Sequence, residues 1–230
     1  MNEIVTHAAG WHVAISLDAT YVTFAPESFM HATRDAGRSG GSTNERRAVV
    51  EVCRGAGGIF PRAALGARYS PGGHTLTIVV ATIGDMCASA VGDFASVLAT
   101  PMTIGLPQEF GNAVLNGLTS FSDGTKTPTG DLNVDFAAYD EVNSSPYAVE
   151  HAARLLLWVF AQHESRHEID SCALVTELET RWATTNPVVL WSVVEDPFAQ
   201  RETLNRPLQE MLLNTLDSIR DDSCKPFGLK

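Results

Sequence analysis

Two histidines and a glutamate have the spacing of a catalytic zinc site. His163, Glu164 and His167 match the pattern His-Glu-Xaa-Xaa-His. Histidines four residues apart share one face of a helix and can bind one zinc ion, and the glutamate between them can serve as base for a metal-bound water. Asp170 lies on the same predicted helix face and is a candidate third ligand, and Glu177 or Glu195 could fold back to the same position. The pattern therefore indicates a zinc-dependent hydrolase.

The surroundings of this pattern favour a second interpretation, a solvated end of a helix. Arg166 places a fixed positive charge beside the proposed ion, and its neighbours in residues 163–170 are almost all polar. No third ligand has a characteristic spacing. We therefore favour a chain without a cofactor and without enzymatic activity. Zinc, with Glu164 as the catalytic base, remains the alternative.

A second group of polar residues follows a predicted strand. Apolar and polar residues alternate over residues 130–139, which predicts a strand with one buried face. Ser145 and Pro146 then have the residue types of a helix start, because a serine hydroxyl accepts from free amides of the first turn and proline suits the first helical position. The turn between strand and helix holds Asp140 and Glu141. Carboxylates adjacent in a strand-like segment point apart, so we do not assign them a shared proton.

The composition is that of an ordinary globular protein with an acidic balance. Of the 230 residues, 44% are hydrophobic and 19% are charged, and the formal net charge is −11. That charge argues against broad nucleic-acid binding, which needs lysine and arginine to neutralise phosphates. The four cysteines have neither zinc-ribbon nor disulfide spacing. Because we find no secretory signal pattern and no apolar run of about 20 residues, we expect a cytoplasmic protein that does not contact membranes.

Periodicity places the other elements around this strand and helix. Period-two runs predict strands, period-3.6 runs predict helices, and clusters of glycine, serine and proline predict loops. The expected strands are a hairpin at 9–25 and runs at 47–53, 74–83, 97–104 and 188–194; the helices begin near 106, 146, 172 and 201; the loops are 33–44 and 55–73.

The order of elements over residues 46–168 is β-β-β-α-β-α. It predicts an α+β fold, a two-layer α/β sandwich with helices on one face of a mainly antiparallel sheet. We divide the chain into an N-terminal hairpin and linker at residues 1–45, a core at residues 46–170, and a helical extension at residues 171–230 that packs on the core. Residues 155–160 are apolar all round the helix, which indicates cover on both sides, from the extension or from a second copy.

Two short blocks of the predicted core resemble a known family. Residues 106–117 include Leu-Pro-Gln-Glu-Phe and Ala-Val-Leu-Asn-Gly, which are similar to the Ile-Pro-Gly-Glu-Tyr and Ala-Val-Xaa-Xaa-Gly of domain IV of translation elongation factor G. Residues 136–145 read Phe-Ala-Ala-Tyr-Asp-Glu-Val-Asn-Ser-Ser, which is similar to that domain's Phe-Gly-Ser-Tyr-His-Asp-Val-Asp-Ser-Ser. The resemblance, shared with domain IV of elongation factor 2, extends over the core at residues 46–170.

The resemblance implies a fold and a binding surface. The fold has a left-handed β-α-β crossover, where general chain topology favours a right-handed one. In the elongation factors this domain reaches the decoding centre through loops at its tip, so the implied partner is the ribosome, RNA or another translation component. The corresponding tip residues here are Tyr139, Asp140, Glu141, Val142 and Asn143, and those of a second, less similar loop are Arg68, Tyr69, Gly72 and Gly73.

Two departures from the family pattern limit what the resemblance implies. The histidine of the family's tip is replaced by Asp140, an anion that repels phosphates. No Gly-Xaa4-Gly-Lys-Ser/Thr motif occurs in the sequence, so no nucleotide is expected. We therefore predict a stand-alone, non-enzymatic, domain-IV-like binding module associated with the ribosome. The alternatives are a zinc-dependent hydrolase and a self-associating structural protein, a homo-oligomer.

Overall fold

Alternating residues build one sheet of nine strands in the part of the chain that the structure describes. The structure is a computed structural model that describes residues 2–36, 44–55, 60–84, 92–120, 127–164 and 169–182. The strands are β1 (Asn2–Ala8), β2 (Trp11–Leu17), β3 (Ser28–Asp35), β4 (Arg46–Arg54), β5 (Arg62–Pro71), β6 (Thr75–Thr82), β7 (Asp93–Phe94), β8 (Met102–Ile104) and β9 (Gly130–Tyr139).

Three helices accompany the sheet within the described residues. They are α1 (Gln108–Thr119), α2 (Pro146–Glu164) and α3 (Ser171–Glu177), and a π-helical turn at Leu178–Trp182 follows the third. The predicted start of α2 is confirmed, because the Ser145 hydroxyl accepts a hydrogen bond from the amide of Ala148 at 3.3 Å. None of these helices is long and apolar enough to cross a membrane.

The strand order combines antiparallel neighbours with one parallel pair. The order is β1-β2-β4-β5-β9-β6-β3, and β8 pairs with the end of β9 and with β7. Strands β6 and β9 are parallel, whereas the other paired strands are antiparallel. A parallel pair needs a long connection, and this one contains α1. The chain therefore has the predicted α+β fold, with a mixed sheet. The left-handed crossover implied by the resemblance stays a prediction.

The two faces of the sheet have different covers. On the helix face, α2 packs on β4 and β5, and α1 packs on β6 and β3. The ring of Tyr69 on β5 lies 5.2 Å from that of Phe160 on α2. On the opposite face, the ring of Phe94 lies 5.3 Å from that of Phe136 on β9. Phe94 belongs to residues 92–101, which we call the strap, and we call this the strap face.

A β-bulge lets β9 bury apolar residues on both faces. The register between β5 and β9 shifts between Gly66 and Ala67, which pair with Phe136 and Val134 and leave Asp135 as the extra residue. One extra residue turns the following side chains to the other face of a sheet. Val134 therefore lies on the helix face and Phe136 on the strap face. The predicted single buried face is confirmed up to Asp135 and is wrong from Phe136 onward, where the strand is buried on both sides.

Glycine occurs at two crowded positions. A Cβ on Gly66 would lie 3.0 Å from side-chain atoms of Phe136 and Val49, its partners on the two neighbouring strands, so these side chains would have to shift. A Cβ on Gly117 of α1 would overlap the carbonyl oxygen of Glu150 on α2. Gly66 therefore gives space to the side chains beside it in the sheet, and Gly117 sets how closely the two helices approach each other.

The structure corrects several expected boundaries. Residues 55–73 are not one loop, because β5 occupies most of them in the middle of the sheet. The N-terminal hairpin joins β1 to β2, and no strand follows Leu17 within residues 18–27. Strand β3 extends into the expected loop at residues 33–44, and the strand expected at residues 97–104 is reduced to β8.

The N-terminal strands belong to the same sheet as the predicted core. Strand β2 pairs with β4, and β3 pairs with β6. The described residues form one compact unit that ends at Trp182. The elements expected beyond it lie outside the described residues, so the division into segments at residues 45 and 170 stays a prediction.

A neutral histidine is buried between the sheet and α2. The ring of His151 stacks on that of Trp11 at 5.0 Å and lies 4.2 Å from that of Tyr147. Its Nδ1 lies 2.9 Å from the carbonyl oxygen of Tyr147, to which an Nδ1–H donates. Burial, with smaller effects of Arg154 and Arg54, lowers the pKa of His151 to about 4. The charged imidazolium is therefore incompatible with this packing.

Replacing His151 with phenylalanine should reduce the acid sensitivity of the fold. The unfolded chain gains the His151 proton near its ordinary pKa of 6.5, and the folded chain only near about 4. Stability is therefore lost as the pH falls through this window, by about 2 kcal/mol between pH 7 and pH 5. Urea unfolding at both pH values should show that His151→Phe loses about 2 kcal/mol less than the wild type.

The titration of the buried Glu177 does not affect the difference in stability loss between the two proteins. Burial raises its pKa to about 7, so Glu177 stabilises the folded state as the pH falls, opposite in sign to His151. That contribution is present in both proteins and cancels in the difference. Equal losses of stability in the two proteins would contradict a buried neutral His151.

Candidate functional site

The predicted tip loop follows β9 and exposes only part of its residues. Tyr139 is buried, and Asn143 is half-buried. Glu141 is exposed, and Val142 is 85% exposed. The side chain of Asp140 is only 17% exposed. The surface that this loop offers to a partner is therefore mainly Glu141 and Val142.

Asp140 holds the loop together through hydrogen bonds to its own backbone. Its Oδ1 accepts from the amides of Val142 at 2.8 Å and of Asn143 at 3.0 Å. The amide of Asp140 donates to the hydroxyl of Ser144 at 2.9 Å. That hydroxyl donates in turn to the carbonyl oxygen of Arg62 at 2.8 Å. The loop is therefore a hydrogen-bonded turn that is attached to Arg62, the first residue of β5.

A buried ion pair connects the loop to the sheet and to the strap. The Nε of Arg62 donates to Oδ2 of Asp140 at 3.0 Å, and Nη2 donates to the same oxygen. The other donations of the guanidinium go to the carbonyl oxygens of Thr100 at 2.6 Å and of Pro101 at 3.2 Å. The side chain of Arg62 is only 3% exposed. Arg62, on β5, therefore connects this strand to the tip loop and to the strap.

The charge of Asp140 is compensated inside the protein. Its burial would raise the pKa, but hydrogen bonds from Val142, Asn143 and Arg62 outweigh this effect and lower the pKa to about 2. Asp140 is therefore ionised, and the Arg62 guanidinium neutralises it. The expectation that Asp140 presents a free anion at the tip is wrong, because its partner lies in a segment that the sequence pattern assigned to a loop.

The second expected loop is not at the tip. Arg68 and Tyr69 lie within β5, where Tyr69 is buried and its hydroxyl donates to the carbonyl oxygen of Thr129 at 2.7 Å. The Arg68 Nε donates to Oδ2 of Asp135 at 2.6 Å. The nearby turn contains Gly72 and Gly73.

That turn and the tip lie at opposite ends of β9. The Gly72 amide donates to the carbonyl oxygen of Thr129, just before β9, whereas the tip follows its last residue, Tyr139. A ten-residue strand separates these ends by about 30 Å at 3.2–3.4 Å per residue. The two predicted loops therefore do not form one surface.

The structure instead places a pocket of about 360 Å³ beside the tip, on the strap face. His12 and Cys53 are paired across β2 and β4, and Cys53 and Arg62 across β4 and β5, so these three residues form a row across the sheet. The pocket is lined by His12, Cys53, Gly55, Phe60, Arg62, Leu98, Ala99, Thr100 and Asn143. Sequence reasoning named only Asn143 individually. Gly55, Phe60 and Arg62 lie within residues 55–73, which we expected to be a binding loop, and the others come from the strap and from β2 and β4.

The pocket has recognition groups rather than an activated nucleophile. Burial raises the pKa of the Cys53 thiol, so the thiolate is disfavoured at neutral pH. The Arg62 guanidinium is already bonded to Asp140 and to strap carbonyls. What faces a ligand is the exposed imidazole of His12 and the half-exposed ring of Phe60, while the side-chain amide of Asn143 donates to Oδ2 of Asp140 at 3.2 Å.

A buried carboxylate fixes the other end of the strap. Glu51, on β4, is buried and accepts from the hydroxyl of Ser96 and from the amide of Val97, at 3.1 Å in the second case. Burial raises the pKa of Glu51. The strap is therefore hydrogen-bonded to Glu51 through Ser96 and Val97, and to Arg62 through the carbonyl oxygens of Thr100 and Pro101.

The residues of the zinc alternative are not assembled in the described part of the chain. His163 and Glu164 belong to the last turn of α2, and His167 lies outside the described residues. Asp170 is not on the same helix face as expected, because it has extended backbone and caps α3, accepting from the amide of Ala173 at 2.7 Å. Among the described residues no three His, Cys, Asp or Glu side chains form a metal-binding group. The zinc alternative stays a prediction.

Removing the Arg62 cation should destabilise the fold strongly. Arg62→Met leaves the Asp140 carboxylate and two strap carbonyls without their partner, which costs roughly 3–5 kcal/mol in urea unfolding. The double variant with Asp140→Asn should recover part of this loss, because no unpaired buried charge remains. Arg47→Met, which removes an exposed pair with Glu45, is the control and should change stability by less than about 1 kcal/mol. Equal effects of the two single variants would contradict the assigned role of Arg62.

Comparisons with known proteins add no residue to this site. No protein-family model matches the chain, and no curated protein matches it. The resemblance to domain IV therefore rests on residues 106–117 and 136–145, and the function is argued below from these blocks and from the geometry of the site.

Proposed function

We propose that the chain is a non-catalytic binding protein that contacts the ribosome or another translation component through the tip loop and the pocket beside it. The observation that carries this proposal is a preformed tip: hydrogen bonds fix its backbone conformation, and the side chain of Val142 is 85% exposed. A preformed loop loses little conformational entropy on binding. A large apolar side chain at the end of such a loop is typical of a contact residue.

The chemistry of the tip favours a protein surface over phosphates. Its exposed side chains are the acidic Glu141 and the apolar Val142, and Phe60 at the edge of the pocket is 47% exposed. The two charged side chains beside the tip, Arg62 and Asp140, form an ion pair with each other. We therefore expect the tip to dock on a basic, partly apolar protein surface of the translation machinery.

The two blocks that resemble domain IV support a translation partner. The first lies at the start of α1 and along that helix, and the second runs from the end of β9 through the tip to the start of α2. The second block therefore contains the tip, the part through which the elongation factors reach the decoding centre. The left-handed crossover belongs to the same proposal.

Co-sedimentation with ribosomes at low and moderate salt tests this function. The wild type should bind, and Val142→Lys, which removes the apolar side chain and places a cation against the basic surface, should weaken binding by about tenfold or more, equivalent to about 1.4 kcal/mol. Val22→Lys is a matched control, because Val22 is 63% exposed and lies outside the tip and the pocket lining. It should bind as the wild type does. Absence of wild-type binding at both salt concentrations, or equal loss in both variants, would overturn the proposal.

A further inference from the structure

Strand β1 is an edge strand whose outer side pairs with no other strand among the described residues. It is the first strand in the order of the sheet and pairs only with β2 among the strands that the structure describes, while α3 packs against it. An unpaired edge presents backbone amides and carbonyls to any further strand. Edges are commonly protected by charged residues, by proline or by shortness, whereas β1 has seven residues, no proline and a single acidic residue, Glu3.

The turn after β1 determines which backbone groups point outward. Ala9 and Gly10 have positive φ values of 51° and 78°, as in the two-residue type I′ turn. In such a hairpin the pair that closes the turn, Ala8 with Trp11, exchanges hydrogen bonds, and hydrogen-bonded pairs then recur at every second residue. The amides and carbonyls of the intervening residues point away from β2. These residues are Glu3, Val5 and His7.

The side chains of the same three residues lie on one exposed face. They are paired across β2 with Ser16, Ala14 and His12, which lie on the strap face. Glu3 and His7 are exposed, and Val5 is 54% exposed. Along the outward edge, Glu3, Val5 and His7 therefore follow one another at every second position.

This order of residues is complementary to itself. We propose that two copies of the chain pair antiparallel through β1, with a two-fold axis at Val5, so that the sheets of both copies become continuous. Each Glu3 then lies opposite His7 of the other copy, and the two Val5 side chains face each other. All three outward residues form hydrogen-bonded pairs in this register, and each pair exchanges two hydrogen bonds.

The opposite edge of the sheet is the alternative interface. On β3 the exposed residues alternate as Phe29, His31, Thr33 and Asp35. An antiparallel pairing of two β3 strands about Thr33 would place His31 opposite Asp35, with a threonine instead of an apolar residue at the two-fold axis. Variants of β1 distinguish the two edges, because they leave β3 unchanged.

The proposal is tested by the oligomeric state of the full chain. Sedimentation equilibrium over a range of concentrations should give a dimer for the wild type. Val5→Pro removes an outward amide that β2 does not use, so it should leave the fold intact and raise the dimer Kd by about tenfold or more. Glu3→Lys should raise the Kd similarly, and Glu3→Lys combined with His7→Glu should restore it, because each lysine then lies opposite a glutamate of the other copy.

Controls separate this interface from other arrangements. Val22→Asp should leave the dimer unchanged, and circular dichroism and urea unfolding should show native stability for each variant. If Val5→Pro fails to fold, the two charge variants still decide the question. A monomeric wild type at all concentrations would overturn the proposal and indicate another occupant of the edge, such as residues 188–194 of the same chain. A dimer that neither Val5→Pro nor Glu3→Lys weakens would also overturn it.

Discussion

The last strand among the described residues, β9, lies at the centre of the sheet, and the rest of the described structure depends on this placement. β9 is bonded to β5 on one side and to β6 on the other. Within the described residues it is the only strand that joins the half-sheet β1-β2-β4-β5 to the half-sheet β6-β3. The tip loop lies where it does because β9 ends there. Helix α1 crosses the helix face because a parallel neighbour requires a long connection.

Burial on both faces of β9 explains the unusual chemistry of the strap. The strap must cover Phe136 on the face that the helices do not reach. Two buried charges, Glu51 and Arg62, bind it mainly through backbone amides and carbonyls. A buried ion pair such as that of Arg62 with Asp140 is often no more stabilising than apolar residues of equal shape. Its effect here is geometric, because one guanidinium sets the relative positions of the tip, the strap and β5.

Much of the fold could be predicted from local patterns, and the site mostly could not. The strand β9 and the start of α2 follow from alternation and from a serine and a proline at the right positions. Strand β5 was missed because Ala63, Ala64, Gly66 and Ala67 give no amphipathic pattern. Those small residues are required by close packing against β4 and β9, which is information that lies elsewhere in the chain.

The ion pair at the site illustrates why distance along the chain limits prediction. Arg62 and Asp140 are 78 residues apart, so no spacing rule connects them. The sequence did indicate that residues 139–143 form a turn after a strand. It did not reveal that the carboxylate of that turn is neutralised, and this changes the chemistry of the partner that the tip can recognise.

The central position of β9 also has a consequence for synthesis of the chain. Translation releases β1 to β6 long before Gly130–Tyr139, so during that interval the inner edges of both half-sheets have no partner. Open strand edges of this kind pair readily with other chains. A product truncated before residue 130 would lack the strand that joins the two half-sheets, so we expect it to be a substrate for chaperones and proteases and not a smaller version of the protein.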